Sequence, residues 1–396
     1  MSRIEKKSWK RIDWITLIIV FVLVGFGLIS LANIMATPFS GQEQSLSDYM
    51  SKLNLEYVQR QAQNFLFGLA AMIIILVIDY QIYKPLISYV YIGNLALLAL
   101  LFVVGEIRGG ALGWFVLEQI DRALQPSELC KVTLIVLLSK VVSRAMDKDG
   151  GLKHFKDIVT CLVLCAIPAG IVIWQSDFGT AFVFIIILIC IFFVGRISWK
   201  YIIAALVIAA IVFPICYLYL FDDYQRLRID VFLNPDLDPL NAGYNVSRSK
   251  IAIGSGQMWG KGYFTEGTLA QLRFVPHRNT DFIFSGIGEG LGFVGGAALI
   301  ITYFLLAFRW LWIAIKAKDN FGTCLVVGSI GMLIAHVFEN IGMTIGLMPV
   351  TGIPLPFISY GGSNMLTNML CVGIVLNVWM RRPQKKDGFN QTKLRL

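Results

Sequence analysis

A chain in which bilayer-length apolar stretches recur ten times has few folds open to it. The stretches run at about 13–36, 62–80, 83–105, 127–145, 156–175, 178–195, 198–221, 281–308, 321–346 and 356–380. A spanning helix needs about 20 mostly apolar residues, because lipid gives the backbone no hydrogen-bond partners. The expected fold is therefore all-α: a polytopic membrane protein of about ten transmembrane helices, read as one domain over residues 1–396. Composition agrees, with 57% hydrophobic and 15% charged residues against about 25% charged in soluble domains. The basic start at Arg3, Lys6, Lys7, Lys10 and Arg11 leads into an apolar run too long for a signal-peptide core, so an uncleaved first helix is expected.

An even number of spans puts both termini on one side. With the termini and alternate loops assigned to the cytoplasm, that side holds 22 of the 34 basic residues. The short loops opposite hold only Lys52, Arg60, Arg108 and Arg122. Positive residues favour the cytoplasmic side. Residues 1–12 and 381–396 are thus expected to be cytoplasmic, and the one long polar interval, 222–280, extracellular. The net charge of +9 is spread between apolar runs, which suits membrane topology rather than nucleic-acid binding. The seven cysteines lie in or at the ends of those runs and imply no disulfide framework; Cys161 and Cys165 read as small packing residues.

The outer connections differ. Residues 37–61 can carry a short helix, and 106–126, with Trp114 and Phe115, read as a segment lying at the interface. Pro126 suits a helix start. Gln175 to Gly179 is a tight turn, and the Pro- and Gly-rich 346–363 reads as a broken or re-entrant segment. No clean internal repeat supports an inverted-repeat transporter. The tail from Gln384 is polar and expected to be disordered.

Ionisable residues within spans point to function or to pairing. Glu128 and Lys131, three apart, can pair on one helix face. Asp177 suits a helix cap or turn. Asp281 opens the eighth span; Thr280 can cap that helix with Asp281 in its first turn. Ser285 and Glu289 follow at four and eight residues, on the same helical face, with Glu289 about 12 Å deeper. That line can form the wall of a water-filled groove or a polar seam inside the bundle. His336, Glu339 and Asn340 read best as interhelical hydrogen-bonding residues. The second part of the long loop carries Arg248, Lys250, Lys261, Arg273 and Arg278 against one acid, Glu266. Such cations suit a pyrophosphate-bearing lipid or anionic lipid head groups. Its glycines, Gly254, Gly256, Gly260, Gly262 and Gly267, match no nucleotide-binding fingerprint; tight turns and close backbone approach are expected of them.

Asn234-Pro-Asp-Leu-Asp-Pro, Ala242-Gly-Tyr-Asn-Val-Ser-Arg-Ser-Lys-Ile-Ala-Ile-Gly-Ser-Gly, Gly260-Lys-Gly and Thr280-Asp-Phe-Ile-Phe together resemble the SEDS (shape, elongation, division and sporulation) family. Gln125-Pro-Ser-Glu, Ser176-Asp-Phe-Gly-Thr and Pro354 to Ser363 are similar to further family motifs, so the resemblance covers essentially the whole chain. Gly267-Thr-Leu-Ala-Gln-Leu and Met348 to Pro356 look more like its elongation (RodA) branch than its division (FtsW) branch. The resemblance implies a peptidoglycan glycosyltransferase that polymerises lipid II outside the cytoplasmic membrane. It also implies a class B penicillin-binding protein and elongation-complex membrane proteins as partners. A flippase for the same lipid, or a scaffold that activates the transpeptidase, are the alternatives.

The family's essential acid maps onto Asp281, as base or as ligand of Mg2+ or Mn2+, with no nucleotide cofactor. Arg248, Lys250, Lys261 and Arg278 would meet the pyrophosphate; Glu128, Lys131, Asp177, Ser285 and Glu289 would line or support the groove. Three departures stand out. Gly113 occupies a family Arg position, Arg273 and His277 replace acidic residues, and Glu289 is followed by Gly290 rather than a second Glu.

Overall fold

The computed structural model describes residues 11–39, 45–108, 110–117, 122–220, 223–234, 237–238 and 242–383. The expectations for the first ten residues and for the tail from 384 lie outside them. Ten long helices occupy the ten apolar stretches: α1 (Trp14–Met35), α3 (Leu55–Val77), α4 (Tyr83–Val104), α5 (Pro126–Asp149), α6 (Phe155–Trp174), α7 (Phe178–Val194), α8 (Trp199–Ile215), α11 (Ile283–Ile315), α12 (Asn320–Ile345) and α13 (Gly362–Met380). Short helices α2 (Leu46–Lys52), α9 (Asp223–Leu233) and α10 (Ala242–Ser255) lie between them. By length and composition, seven of the described helices can cross a membrane. Large apolar side chains such as Leu66, Phe67, Tyr89, Phe193, Phe304 and Phe308 face outward, as lipid-facing positions do, whereas α12 and α13 are buried over most of their length.

Two helix starts differ from the apolar pattern. α3 begins at Leu55, because the Asn54 side chain caps it by accepting from Glu56 N at 3.2 Å; polar residues extend the helix beyond the apolar run. α13 waits until Gly362, since the segment before it stays irregular and buried, with Ile353, Leu355, Phe357 and Ile358 almost inaccessible. Protein thus covers the second half of the broken segment expected at 346–363, while Leu347 near its start is exposed.

The described residues between 106 and 124 include three strands rather than a lone interfacial stretch. β1 (Glu106–Arg108), β2 (Ala111–Leu117) and β3 (Arg122–Leu124) make an antiparallel sheet in the order β1-β2-β3. Leu112 N donates to Gln175 O at 3.0 Å and fixes this sheet to the turn between α6 and α7. Pro126 then starts α5 at its first turn.

Cross-links group the helix ends into two faces. On one, Arg309 pairs with Asp13, Tyr80 and Gln81 donate to Asp319, Asn320 donates to Asp147 and Arg381 pairs with Asp79. On the other, Gln61 donates to Ser359 O, Gln125 N to Ser363, Ser249 to Thr344 O and Arg278 to Ile34 O. The polar loop segments and Asp281 belong to this second face.

The long loop is bound to the bundle through a break in α11 at Gly292, whose backbone (φ 66°, ψ −163°) is non-helical. An unbroken helix would bond Phe293 N to Glu289 O and Val294 N to Gly290 O. Here Phe293 N donates to Gln257 O at 2.8 Å and Val294 N to Met258 O at 3.1 Å. The two orphaned carbonyls are taken in turn: Lys261 N donates to Glu289 O at 3.0 Å and Gly262 N to Gly290 O at 2.9 Å. A Cβ on Gly260 would lie 2.2 Å from Gly290 O, and one on Gly292 2.4 Å from Gly260 N, so this contact exists only between glycines. The close backbone approach read from the loop glycines has its partner here. Gly292→Ala should lower the thermal midpoint of the detergent-solubilised protein, the backbone strain alone costing about 1–3 kcal/mol. A midpoint equal to that of the wild type would show that the break is dispensable.

Candidate functional site

Asp281 sits in a turn just before α11, not in its first helical turn. α11 starts at Ile283 without a side-chain cap, and the Thr280 hydroxyl turns back to His277 O at 3.4 Å. The helix-capping role read for Thr280 is therefore not realised. The turn is set by His277, whose left-handed backbone (φ 50°) lets its carbonyl accept from both Thr280 N and Phe282 N at 3.1 Å.

Two other segments clamp the turn. The Asn340 amide on α12 donates to Asp281 O and to Ile353 O, each at 2.8 Å. Ser359 Oγ donates to Thr280 O at 2.7 Å and accepts from Leu355 N at 2.9 Å, while Tyr360 N donates to Asn279 O at 2.9 Å. The Asp281 side chain is partly buried, with one carboxylate oxygen facing Gly352, where a Cβ would come within 3.7 Å. Burial pushes its pKa above the ordinary carboxylate range; the charge of His277, a hydrogen bond from Thr280 and the charge of Arg228 oppose this without cancelling it.

The expected carboxylate line does not continue from Asp281 as an open groove. Ser285 is buried and donates to Phe282 O at 2.6 Å. Glu289 is buried too, and its carboxylate accepts from Lys261 Nζ at 2.7 Å, Leu269 N at 2.6 Å and Ala270 N at 2.9 Å. Asp281 precedes the helix and Glu289 is tied to the loop, so the three residues do not form one line along a helical face.

The four loop cations part company. Lys261 pairs with Glu289, and Arg248 lies over the rings of Tyr244 and Phe274 at 4.7 and 4.1 Å. Arg278 Nε donates to Ile34 O at 3.1 Å, and burial together with neighbouring Arg273 lowers its pKa. Lys250 lines a small cavity with Arg228, Gly346, Met348, Pro349 and Val350. Sequence reasoning passed over Arg228: it sits in a short amphipathic helix, α9, where no local spacing separates it from a solvated charge.

Glu128 and Lys131 pair at 2.7 Å with side-chain exposures of 1% and 0%. Lys131 Nζ also reaches His336 Nε2 at 2.9 Å. An ammonium only donates, so Nε2 accepts and Nδ1 carries the imidazole proton. His336 and Asn340 are one turn apart on α12, so the same helix contacts the buried ion pair and the Asp281 backbone. Asp177 caps α7 by accepting from Thr180 N at 3.0 Å, and also accepts from Gln125 Nε2 at 3.3 Å and Ser127 Oγ at 3.4 Å. Among the described residues no cluster of three or more His, Cys, Asp or Glu could hold a metal ion.

The chain matches the FTSW_RODA_SPOVE cell cycle protein family over residues 13–384. It is 38% identical over 325 residues to the peptidoglycan glycosyltransferase MrdB of Escherichia coli K12, covering 82% of this chain and 86% of that one. It is 32% identical over 386 residues to a probable peptidoglycan glycosyltransferase FtsW of Geobacter metallireducens, covering 96% and 97%. Its structure resembles a chain from work on the coordination of polymerization and crosslinking by a peptidoglycan synthase complex, with a TM-score of 0.75 at 27% identity, covering 93% and 97%. It also resembles the rod shape determining protein RodA of Thermus thermophilus, with a TM-score of 0.67 at 25% identity, covering 95% and 99%.

Removing one partner from the buried pair should expose its cost. Lys131→Met leaves the Glu128 carboxylate buried without its cation and should destabilise the protein by about 3–5 kcal/mol. Adding Glu128→Gln to that variant should restore most of the loss in thermal unfolding. Equal losses in the single and double variants would show that the two charges are not coupled.

Proposed function

We propose that this chain, which belongs to the FtsW, RodA and SpoVE family and is a peptidoglycan glycosyltransferase serving cell elongation, polymerises lipid II with Asp281 as its general base. The observation that carries this reading is the placement of Asp281: a partly buried carboxylate held through its own carbonyl by Asn340. The acceptor sugar's 4-hydroxyl oxygen forms a bond to the donor's anomeric carbon and gives its proton to Asp281. The bond from that carbon to the pyrophosphate oxygen breaks, and its electron pair leaves with the polyprenyl pyrophosphate. A carboxylate whose pKa is raised is a stronger base for that proton.

The leaving group needs positive charge. Arg228 and Lys250 line the cavity beside residues 346–350 and suit that role by position, whereas Lys261, Arg248 and Arg278 are turned toward Glu289, two aromatic rings and Ile34 O. Asp281 can give Mg2+ or Mn2+ one carboxylate, and substrate phosphate and water would complete such a shell. A cation held this way would add to the neutralisation of the pyrophosphate.

The bias of basic residues supports cytoplasmic termini and an extracellular Asp281 face in the cytoplasmic membrane. Likeness to a chain of a peptidoglycan synthase complex supports a class B penicillin-binding protein partner in the elongation machinery. Purified with that partner and supplied with lipid II and a divalent cation, the chain should make glycan polymer visible on a gel. Asp281→Asn should slow polymerisation by about 10²–10⁴-fold, and Arg228→Ala or Lys250→Ala by roughly 10–100-fold, somewhat below the loss of a preorganised donor. Polymer made equally well by Asp281→Asn would sink the assignment.

The pH profile gives a second check. The base works deprotonated and burial raises its pKa, so kcat/KM should fall with acid at a higher pH than an exposed aspartate would give. An acid limb in the ordinary aspartate range would count against it.

A further inference from the structure

A second cavity, of 370 Å³, opens beside the Asp281 turn and is lined by Glu56, Tyr57, Arg60, His277, Asn279, Thr280 and Tyr360. Its volume lies in the range of small-ligand clefts, about 300–1,000 Å³. Three chain segments build it: the first turns of α3, the turn before Asp281 and the residues before α13. They are tied together by Gln61 Nε2 to Ser359 O at 2.9 Å, Gly361 N to Gln61 Oε1 at 3.1 Å and Tyr360 N to Asn279 O at 2.9 Å. The walls are therefore set before any ligand arrives.

The lining has a distinct chemistry. The rings of Tyr57 and Tyr360 meet edge to face at 5.3 Å and 73°, offering apolar faces with polar tips. Glu56 and Arg60 pair at 2.8 Å, so their charges offset each other at the rim. Asn279, Thr280 and His277 add further hydrogen-bonding groups. This cavity shares no lining residue with the Arg228 and Lys250 cavity. A pyrophosphate gains little in a site whose carboxylate and guanidinium cancel. A sugar ring gains more: its C–H faces lie on aromatic rings, and its hydroxyls and amide meet planar polar side chains.

We propose that this cavity is a saccharide subsite that holds the acceptor glycan against the Asp281 turn. The proposal rests on the glycosyltransferase reading above and adds to it which surface receives the attacking sugar. The charged leaving group of the donor goes to the Arg228 and Lys250 side, and the attacking sugar of the acceptor, itself uncharged, to the Tyr57 and Tyr360 side. Thr280 lines the cavity and is the chain neighbour of Asp281, so a sugar held there lies beside the turn that carries the base.

The test is binding of a soluble β-1,4-linked N-acetylglucosamine tetramer to the full chain in detergent, followed by ligand-observed NMR and calorimetry. The wild type should bind it, and Tyr57→Ala and Tyr360→Ala should each weaken binding about tenfold, the loss of one aromatic contact. Tyr57→Phe, which keeps the ring, should retain most of the affinity and serves as the control for folding. Asp281→Asn should bind the tetramer as the wild type does while failing to polymerise. No binding by the wild type, or equal affinity in the wild type and both alanine variants, would overturn the subsite. Normal polymerisation by Asp281→Asn would overturn the catalytic reading instead, whatever the tetramer does.

Discussion

The exchange of backbone hydrogen bonds at Gly292 is the constraint from which the position of Asp281 follows. A helix broken within a bilayer leaves donors and acceptors that lipid cannot satisfy, at several kcal/mol each. Residues 257–262 satisfy four of them and so dock this part of the long loop on α11. The Glu289 carboxylate, one turn before the break, then takes Leu269 N, Ala270 N and Lys261 Nζ, fixing the loop's second half to the same short piece of α11. That piece begins two residues after Asp281. The turn carrying the candidate base is thus held from below by the helix break and from the sides by α12 and the 351–361 segment.

Charge is distributed in the same economical way. Glu128, Lys131 and His336 contact one another inside the bundle, and one turn on along α12 Asn340 holds Asp281 through the backbone rather than the side chain. The carboxylate is left available for chemistry while its main chain is immobilised. Lys261, Arg248 and Arg278 hold the loop in shape through Glu289, two aromatic rings and Ile34 O. Arg228 and Lys250 lie where positive charge can meet a leaving group. A count of loop cations could not make this division, because it depends on which acceptors the folded chain places beside each one.

Much of the fold was legible in the sequence, since bilayer thickness imposes a length on every apolar run and charge bias orders them. Asp281 was legible as an ionisable residue at the mouth of a span. The three-stranded sheet was not: strands of three to seven residues around Gly110 carry too little alternation to signal pairing. The helical spacing of Asp281, Ser285 and Glu289 misled, because Asp281 precedes the helix and Glu289 is anchored to the loop beside the break. The contacts of Asn340 with Asp281 and of Tyr57 with Tyr360 span 59 and 303 residues along the chain, which no local pattern encodes. The loop glycines gave the right kind of signal, close approach, without naming the partner helix.

The residues that depart from the family pattern take on a physical meaning here. Arg273 and His277 both adopt left-handed backbone, at φ 57° and 50°, in the segment leading to Asp281. His tolerates that conformation better than most side chains, and its carbonyl closes the turn. An acidic residue at 277 would place like charge beside a partly buried carboxylate, and both effects would raise the Asp281 pKa together. With His277 the two effects oppose: burial raises the pKa, and the imidazole charge and Arg228 restrain it. The net direction is upward, set by burial. His277 also borders the cavity lined by Tyr57 and Tyr360, so one substitution in the family pattern changes both the electrostatics of the base and the rim of the surface beside it.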